Sequence, residues 1–357
     1  MHYSRVLDEV FSQFDGPKFS VRLWDGKEHF YGTGAAAAFT LILQEEKTAK
    51  RLLAQGSLGF GEAYMEGALR IEGDLEAYLR LRHQFKHVRR SLRLMFATFL
   101  ASRSIPRDRK DQIAHHYDLG NDFFRMILDN ETMSYSAGRY ENGSEDLATA
   151  QKKKLELVCR WLKLPTNASV LDLGSGWGGF AEYAATNFDW HVTGYSLSDA
   201  QLNYCRERIH AKRCEERVSF EGRDMITDLP ATEFDGIVMI ESIEHVGKHR
   251  LKPFIAGVRQ SLKPGGSLYI QTTGRYQPRP VDRWTLKYVF PGGYLPAKGE
   301  LLEAASEAGL MVEEFRDDTP DYLHTMTEWI RNLESHRIEI ESMHGQSFYR
   351  LWELWMH

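Results

Sequence analysis

The stretch MSYSAGRY, Met133 to Tyr140, crowds two tyrosines, two serines and an arginine around one alanine, just ahead of an acidic, helix-prone segment that begins at Glu141. The types pose a chemical question: what do these polar groups hold, and why does an alanine sit among them? A second stretch, VLDLGSGWGGFAEYAA, carries Gly174, Gly176, Gly178 and Gly179 between an apolar run and a helical pattern. Glycines at such a turn let backbone approach a ligand closely. Asp172 lies on the apolar run itself, where a carboxylate needs a partner. A dinucleotide site would read GxGxxG with an acid roughly 20 residues further on. Here the loop reads GxGxGG and the next apolar run closes on Gly194, Tyr195 and Ser196 without a carboxylate, which leaves NAD as the second choice of cofactor. Ser196, Gln201 and Asp224 are polar residues at strand or helix ends, placed either to bond a cofactor or merely to cap those ends.

These residues need a scaffold, and the pattern after Pro106 supplies one. Short apolar runs at 169–173, 191–195, 217–220, 236–240 and 267–272 alternate with helical periodicity. That alternation predicts an α/β fold, a mainly parallel sheet covered by helices on both faces. Before Pro106, 19–24 and 28–31 read as strands, and 49–53 and 75–83 as helices around the glycine-rich GSLGFGEAYMEG, a small mixed α+β domain. The division expected is 1–105 and 106–357.

The net charge of -5 hides a cationic stretch from Arg82 to Lys110, in which Arg89, Arg90 and Arg93 precede Phe96 and Phe99. This basic amphipathic pattern suits an anionic membrane surface, or else a solvated helix face joining two domains. No nucleic-acid-binding motif accompanies it. The longest apolar run, 34–43, is far below the roughly 20 residues that span a bilayer, and the first residues lack the order of a signal peptide. Cys159, Cys205 and Cys214 show neither CxxC nor metal-ligand spacing, so disulfides and zinc are not expected. The expectation is a cytoplasmic protein held peripherally on the inner face of the membrane.

The LKPGG turn, Leu262 to Gly266, ahead of the fifth strand resembles class I methyltransferases, whose cofactor is S-adenosylmethionine. That resemblance implies that Asp172 and the loop backbone hold the methionine part, Ser196 and Gln201 the ribose hydroxyls, and Asp224 the adenine amino group. More specifically, HHYDLGNDFFRMILDNETMSYSAGRY, SLSDAQ, IESIEHVG, KYVFPGGYLP and DYLHTMTEW follow in the order seen in cyclopropane fatty acid synthases, including the mycolic acid enzymes. The likeness covers nearly the whole chain. GSLGFGEAYMEG resembles the amino-terminal domain of the bacterial phospholipid-acting members, which often pair through it into homodimers.

The family transfers a methyl group from S-adenosylmethionine to the cis double bond of a lipid acyl chain. An alkene is a poor nucleophile and its attack leaves a carbocation, so the site should be dry, aromatic and provided with a base. Tyr117, Phe123, Phe124, Tyr135, Tyr288, Phe290, Tyr294, Tyr322 and Trp329 are the aromatic candidates, many of which would serve equally as plain core. By resemblance Tyr135, Ser136, Gly174, Gly176, Ser196 and Gln201 contact the cofactor, with Gly178 in the same loop. Glu244 matches the acid that holds a bicarbonate ion, taken as the base, and Tyr322 matches its tyrosine contact. The family's cysteine and histidine contacts fall on Ala137 and Gln271. The opening alanine is thus a missing thiol, and the expected product shifts from a cyclopropane toward a methylene- or methyl-branched chain. Family members continue past this chain's final ELWMH through another helix and strand, a second departure. A methyltransferase of soluble small molecules and a lipid-binding protein without catalysis are the competing readings.

Overall fold

The computed structural model describes residues 3–81, 84, 95, 120–231 and 233–357. Nearly all of the cationic stretch, with Arg89, Arg90, Arg93, Phe96 and Phe99, lies outside the described residues, as does Tyr117. The chain forms two compact units, and they are not contiguous in sequence. One joins Met1–Ile113 to Asp282–Val289 and His336–His357; the other joins Ala114–Val281 to Phe290–Ser335. A single break at 105/106 had left the two late segments with the second domain.

In the first unit, β1 (Phe19–Arg22) pairs antiparallel with β2 (Glu28–Tyr31) and parallel with β3 (Phe39–Leu43), and β3 pairs antiparallel with β4 (Leu69–Gly73). Phe19, Val21, Leu41 and Leu43 are buried, and so are Ser20 and Ile42 between them, so these two strands are covered on both faces there. The glycine-rich segment is not a loop: Ser57–Met65 is helical. Its glycines serve close approach, since a Cβ at Gly59 would stand 2.5 Å from the Arg51 carbonyl oxygen and one at Gly61 would collide with Trp284. Glu62 of that helix is buried and accepts from Lys287 Nζ and the Tyr288 hydroxyl, both at 2.8 Å, and from Arg51. Tyr64 donates to Glu353 at 2.6 Å. A buried carboxylate has to be met by cations, and part of that requirement is met from far along the chain.

The second unit contains β5 (Ser169–Leu173), β6 (His191–Tyr195), β7 (Val218–Glu221), β8 (Phe234–Ile240) and β9 (Leu262–Gln271), all parallel in the order β7-β6-β5-β8-β9. Residues alternate between faces. Val170, Val192 and Val238 meet Leu155, Val158, Phe180 and Cys205 from the helices on one side, while Leu171, Leu173, Ile237 and Met239 meet Phe254, Ile255, Val258 and Ala304 on the other. The expected α/β sheet with helices on both faces is therefore present. The LKPGG segment, expected as a turn, belongs to β9 and forms an irregularity there: Phe234 pairs with Leu262 and Gly236 next pairs with Ser267. The order of chain reverses between β5 and β8, and the crevice beyond the carboxyl ends of such strands is where α/β sheets bind ligands.

Candidate active site

At the end of β5 the chain enters the glycine loop. The amides of Gly174 and Ser175 donate to the carbonyl of Tyr195 at 3.2 and 2.9 Å, which ties the loop to the end of β6. Gly174, Gly176 and Gly178 have φ of +87°, +52° and +79°, left-handed values that glycine alone adopts freely. Among the described residues a Cβ at Gly176 would meet no atom within 4 Å, whereas one at Gly174 would stand 2.5 Å from Ser242. Gly178 caps the helix Gly179–Phe188, and the carbonyl of Thr132 lies so close to Gly179 that any side chain there would collide.

That carbonyl belongs to the strap that carries MSYSAGRY, which is built on Asp129. The buried Asp129 carboxylate accepts from the amides of Glu131, Thr132 and Ser134 and from the Thr132 hydroxyl. The polar contacts of Ser136 to Arg139 then hold the strap. Ser136 is buried; its hydroxyl accepts from Lys154 Nζ at 2.8 Å and its carbonyl from Gln151 at 2.7 Å. Ala137 gives its amide to Glu241 Oε1 at 2.8 Å and accepts from Gln271 Nε2 at 3.0 Å. Gly138 donates to Thr325 at 2.9 Å, and Arg139 donates to Asp321 at 2.5 Å. The helix expected from Glu141 starts only at Leu147, capped by Asp146, because Glu145 accepts from the amides of Glu141 and Asn142 in a turn instead.

Asp172 is 2% exposed, and its Oδ2 is buried without a hydrogen-bond partner among the described residues. Burial pushes its carboxyl up to about 7, against the pull of Lys154. Lys154 is itself buried and pushed down to about 8 by desolvation. An orphaned acceptor beside a glycine cradle fits a ligand that brings a cation, as the methionine ammonium of S-adenosylmethionine does. Ser196 and Gln201, expected on a ribose, bond each other at 2.9 Å, and one oxygen of Asp224 holds the amide of Ile226. Asn121 accepts from the Trp177 indole at 2.9 Å and donates to the carbonyl of Ala200 at 3.2 Å, so it fastens the glycine loop to the start of the helix Asp199–Lys212.

An aromatic wall runs from the loop across the site. Trp177 packs on Phe124 (centroids 4.7 Å apart), Phe124 on Tyr135 (5.3 Å), Tyr135 on Trp329 (5.2 Å) and Trp329 on Tyr322 (6.5 Å). Tyr322 bonds the side chain of Thr273, and burial pushes its hydroxyl up. Glu244 follows: its Oε1 accepts from the Thr272 hydroxyl at 2.7 Å and the Thr273 amide at 2.8 Å, while its buried Oε2 has no partner among the described residues. Burial, then the charge of Glu241, push its carboxyl up to about 7. Of the other aromatic candidates, Phe123 is buried core, Phe290 packs on His245, and Tyr294 donates its hydroxyl to Glu300. Tyr288 belongs to the first unit, on Glu62.

Gln271 does not stand ready for an ion. Its amide nitrogen has two protons, and both are committed, one to the Ala137 carbonyl and one to Glu241 Oε1, each at 3.0 Å. The Ala137 amide is committed to Glu241 as well. Positions 137 and 271 therefore offer no free donor to the bicarbonate that the resemblance implied, while Glu244 and Tyr322 are present. Glu241, Lys154 and Asp129 are the site residues missed by sequence reasoning. Lys154 had a signal, a charge on the buried stripe of Ala150, Leu155, Val158 and Cys159, and Glu241 had one in the acid that closes the apolar run of β8.

A family model described as mycolic acid cyclopropane synthetase matches residues 105–357. The chain belongs to this family. A domain of unknown function matches residues 6–87. The cyclopropane-fatty-acyl-phospholipid synthase of Escherichia coli K12 is 32% identical over 86% of this chain and 80% of its own length. A probable fatty acid methyltransferase of Pseudomonas putida is 29% identical over 94% and 86%. Among solved structures, a mycolic acid cyclopropane synthase in complex with SAH and CTAB is similar with a TM-score of 0.62 and 26% identity, covering 69% of this chain and 90% of that one. As a member of the mycolic acid cyclopropane synthetase family the chain is an S-adenosylmethionine-dependent methyltransferase of the lipid-modifying kind.

Proposed function

We propose that the enzyme methylates the cis double bond of an unsaturated acyl chain carried by a phospholipid, and that the methyl carbon stays outside a ring as a methylene or an unsaturated methyl branch. When bound, S-adenosylmethionine supplies the electrophilic methyl group. Asp172 would hold its ammonium, with the backbone of Gly174, Gly176 and Gly178 alongside and Tyr135, Ser136, Ser196, Gln201 and Asp224 around it. The observation that carries the reading is the wall from Trp177 to Tyr322, which ends at the carboxyl groups after β8. Aromatic faces there would stabilise a carbocation and exclude water, and a carboxylate would remove the proton that ends the reaction. The absence of a thiol at residue 137 and the committed amide of Gln271 favour a product other than the ring. A saturated branch would need a reductant and is not part of the proposal.

The reading extends to a membrane surface through the sequence of 82–110, with docking by Arg89, Arg90 and Arg93, and to pairing of two copies through the first unit. No helix among the described residues is long and apolar enough to cross a membrane. The test is to incubate the enzyme with unsaturated phospholipid vesicles and labelled cofactor, then to separate the acyl methyl esters by gas chromatography and mass spectrometry. Label in a methylene or methyl-branched ester is expected. Label confined to cyclopropane overturns the product, and label absent from lipid overturns the substrate.

A further inference from the structure

We infer that Glu241 is the enzyme's own base, a side-chain carboxylate held where its relatives' bicarbonate would be expected to sit. The inference rests on the lipid-methylation reading above and goes further by naming the group that takes the proton.

Three observations carry it. Glu241 has φ of +51°, a left-handed value that is uncommon for a glutamate and that packing must enforce. Its backbone amide donates to the carbonyl of Gln271 at 2.8 Å, so the strained residue is tied to the end of β9. Its carboxylate then receives the two donors that the missing thiol and imidazole positions still possess, the Ala137 amide at 2.8 Å and the Gln271 amide at 3.0 Å. Both fall on Oε1, and among the described residues Oε2 receives no hydrogen bond. One oxygen is anchored and the other is left to work. Ala137 is explained by the same geometry, because its function is exercised through its backbone: it donates to Glu241 and accepts from Gln271.

The neighbouring groups suit the role. Burial raises the Glu241 carboxyl, while the Ala137 amide, Gln271 and Lys154 draw it back toward the charged form. A base raised above the usual carboxylate range accepts a proton more readily. Glu244, whose Oε2 has no partner among the described residues, is the nearby carboxyl that opposes any further anion.

The chemistry balances without a co-reactant. As the sulfonium carbon–sulfur bond breaks onto sulfur, the alkene pair forms the new carbon–carbon bond and leaves its other carbon electron-deficient. A carbon–hydrogen bond beside that carbon, or one set beside it by a hydride shift, then breaks: its electron pair closes the new double bond and its proton goes to Oε2 of Glu241. Gln271 is a positioning residue in this scheme.

The experiment uses the full chain and vesicles of dioleoyl phosphatidylglycerol and phosphatidylethanolamine, with labelled S-adenosylmethionine, in buffer freed of carbonate and then with bicarbonate restored. The parent is expected to work at the same rate in both, within about twofold. Glu241→Gln should lose about 10²- to 10⁴-fold in turnover, the usual contribution of a positioned base, while binding S-adenosylmethionine within threefold or so of the parent by calorimetry. Glu241→Gly relaxes the left-handed backbone and so keeps the fold. It also frees the Ala137 and Gln271 amides, and should be slow without bicarbonate and at least about tenfold faster with it. A parent that is active only with bicarbonate overturns the assignment of Glu241 alone, as does a Glu241→Gln enzyme that keeps the parental rate. A parent that labels no lipid under either condition overturns the lipid-methylation reading, and the base with it.

Discussion

Two carboxylates stand at the ends of adjacent strands, Asp172 on β5 and Glu241 just past β8, and the fold treats them in opposite ways. Asp172 is buried and Glu241 half-buried, and desolvation pushes both carboxyls upward. Asp172 has an oxygen with no donor among the described residues, whereas Glu241 receives two donors on one oxygen. The difference separates two tasks. A carboxylate left unsatisfied is costly until a ligand brings the missing charge, so it stores a preference for a cationic ligand. A carboxylate already satisfied on one side costs less to keep charged and holds one orientation, as a group that must meet a proton in a fixed place requires.

The comparison can be broken most severely at the loop that serves Asp172. Gly176→Val forces a branched residue into a left-handed φ of +52° and aims it where no atom of the described residues lies. S-adenosylmethionine affinity should fall at least about 100-fold by calorimetry; a parental affinity would mean that the loop does not carry the cofactor. Asp172→Asn removes the charge and keeps the shape. A hydrogen bond to a charged group contributes roughly 1.5–3 kcal/mol, so the cofactor should bind about 10- to 150-fold more weakly.

The titration of Asp172 sharpens the contrast. With its carboxyl near 7 in the cofactor-free fold, binding a cation below that pH must displace a proton. Affinity should therefore drop by about tenfold per pH unit below 7, and the drop should vanish in Asp172→Asn. Stability moves the other way. A carboxyl whose folded pKa is raised above its unfolded value near 3.8 contributes stability that is full below that value and is lost as pH rises to about 7. Urea denaturation of the cofactor-free enzyme should accordingly show it less stable at pH 7 than at pH 5.5. Saturating cofactor should reduce this loss. Lys154 has the opposite sign, since its folded value, pushed down to about 8, makes the fold gain stability above that pH. The smallest effect is expected from Lys154→Met. Removing the cation that lowers Asp172 should move the midpoint of the affinity profile upward by about one pH unit or less, with fold stability measured alongside; an unmoved midpoint would uncouple the two groups.

Much of the second unit was legible because its signals are local. Apolar runs of strand length, the glycines after β5 and the helical stripes each follow from residues close in sequence, and the sheet, the loop and the position of Asp172 came with them. Motif resemblance reached further, to Glu244, Gln271 and Tyr322. Ser57–Met65 was less legible, because its glycines spell a loop until Trp284 and Arg51 arrive to fill the space a side chain would occupy. The helix boundary at Leu147 was missed for a related reason: Glu145 turned its carboxylate on two amides rather than extending the helix.

What the sequence by itself determined is the α/β sheet, the glycine loop and the family chemistry, since periodicity, glycine spacing and ordered motifs are properties of neighbours along the chain. Tertiary structure decided which carboxylates are satisfied. Ala137, Glu241 and Gln271 are separated by 104 and 30 residues, yet their hydrogen bonds close on one another. Whether a buried acid keeps a free oxygen depends on which donors reach it across the fold, and a donor's reach is set by the packing of strands and strap, not by spacing in the chain.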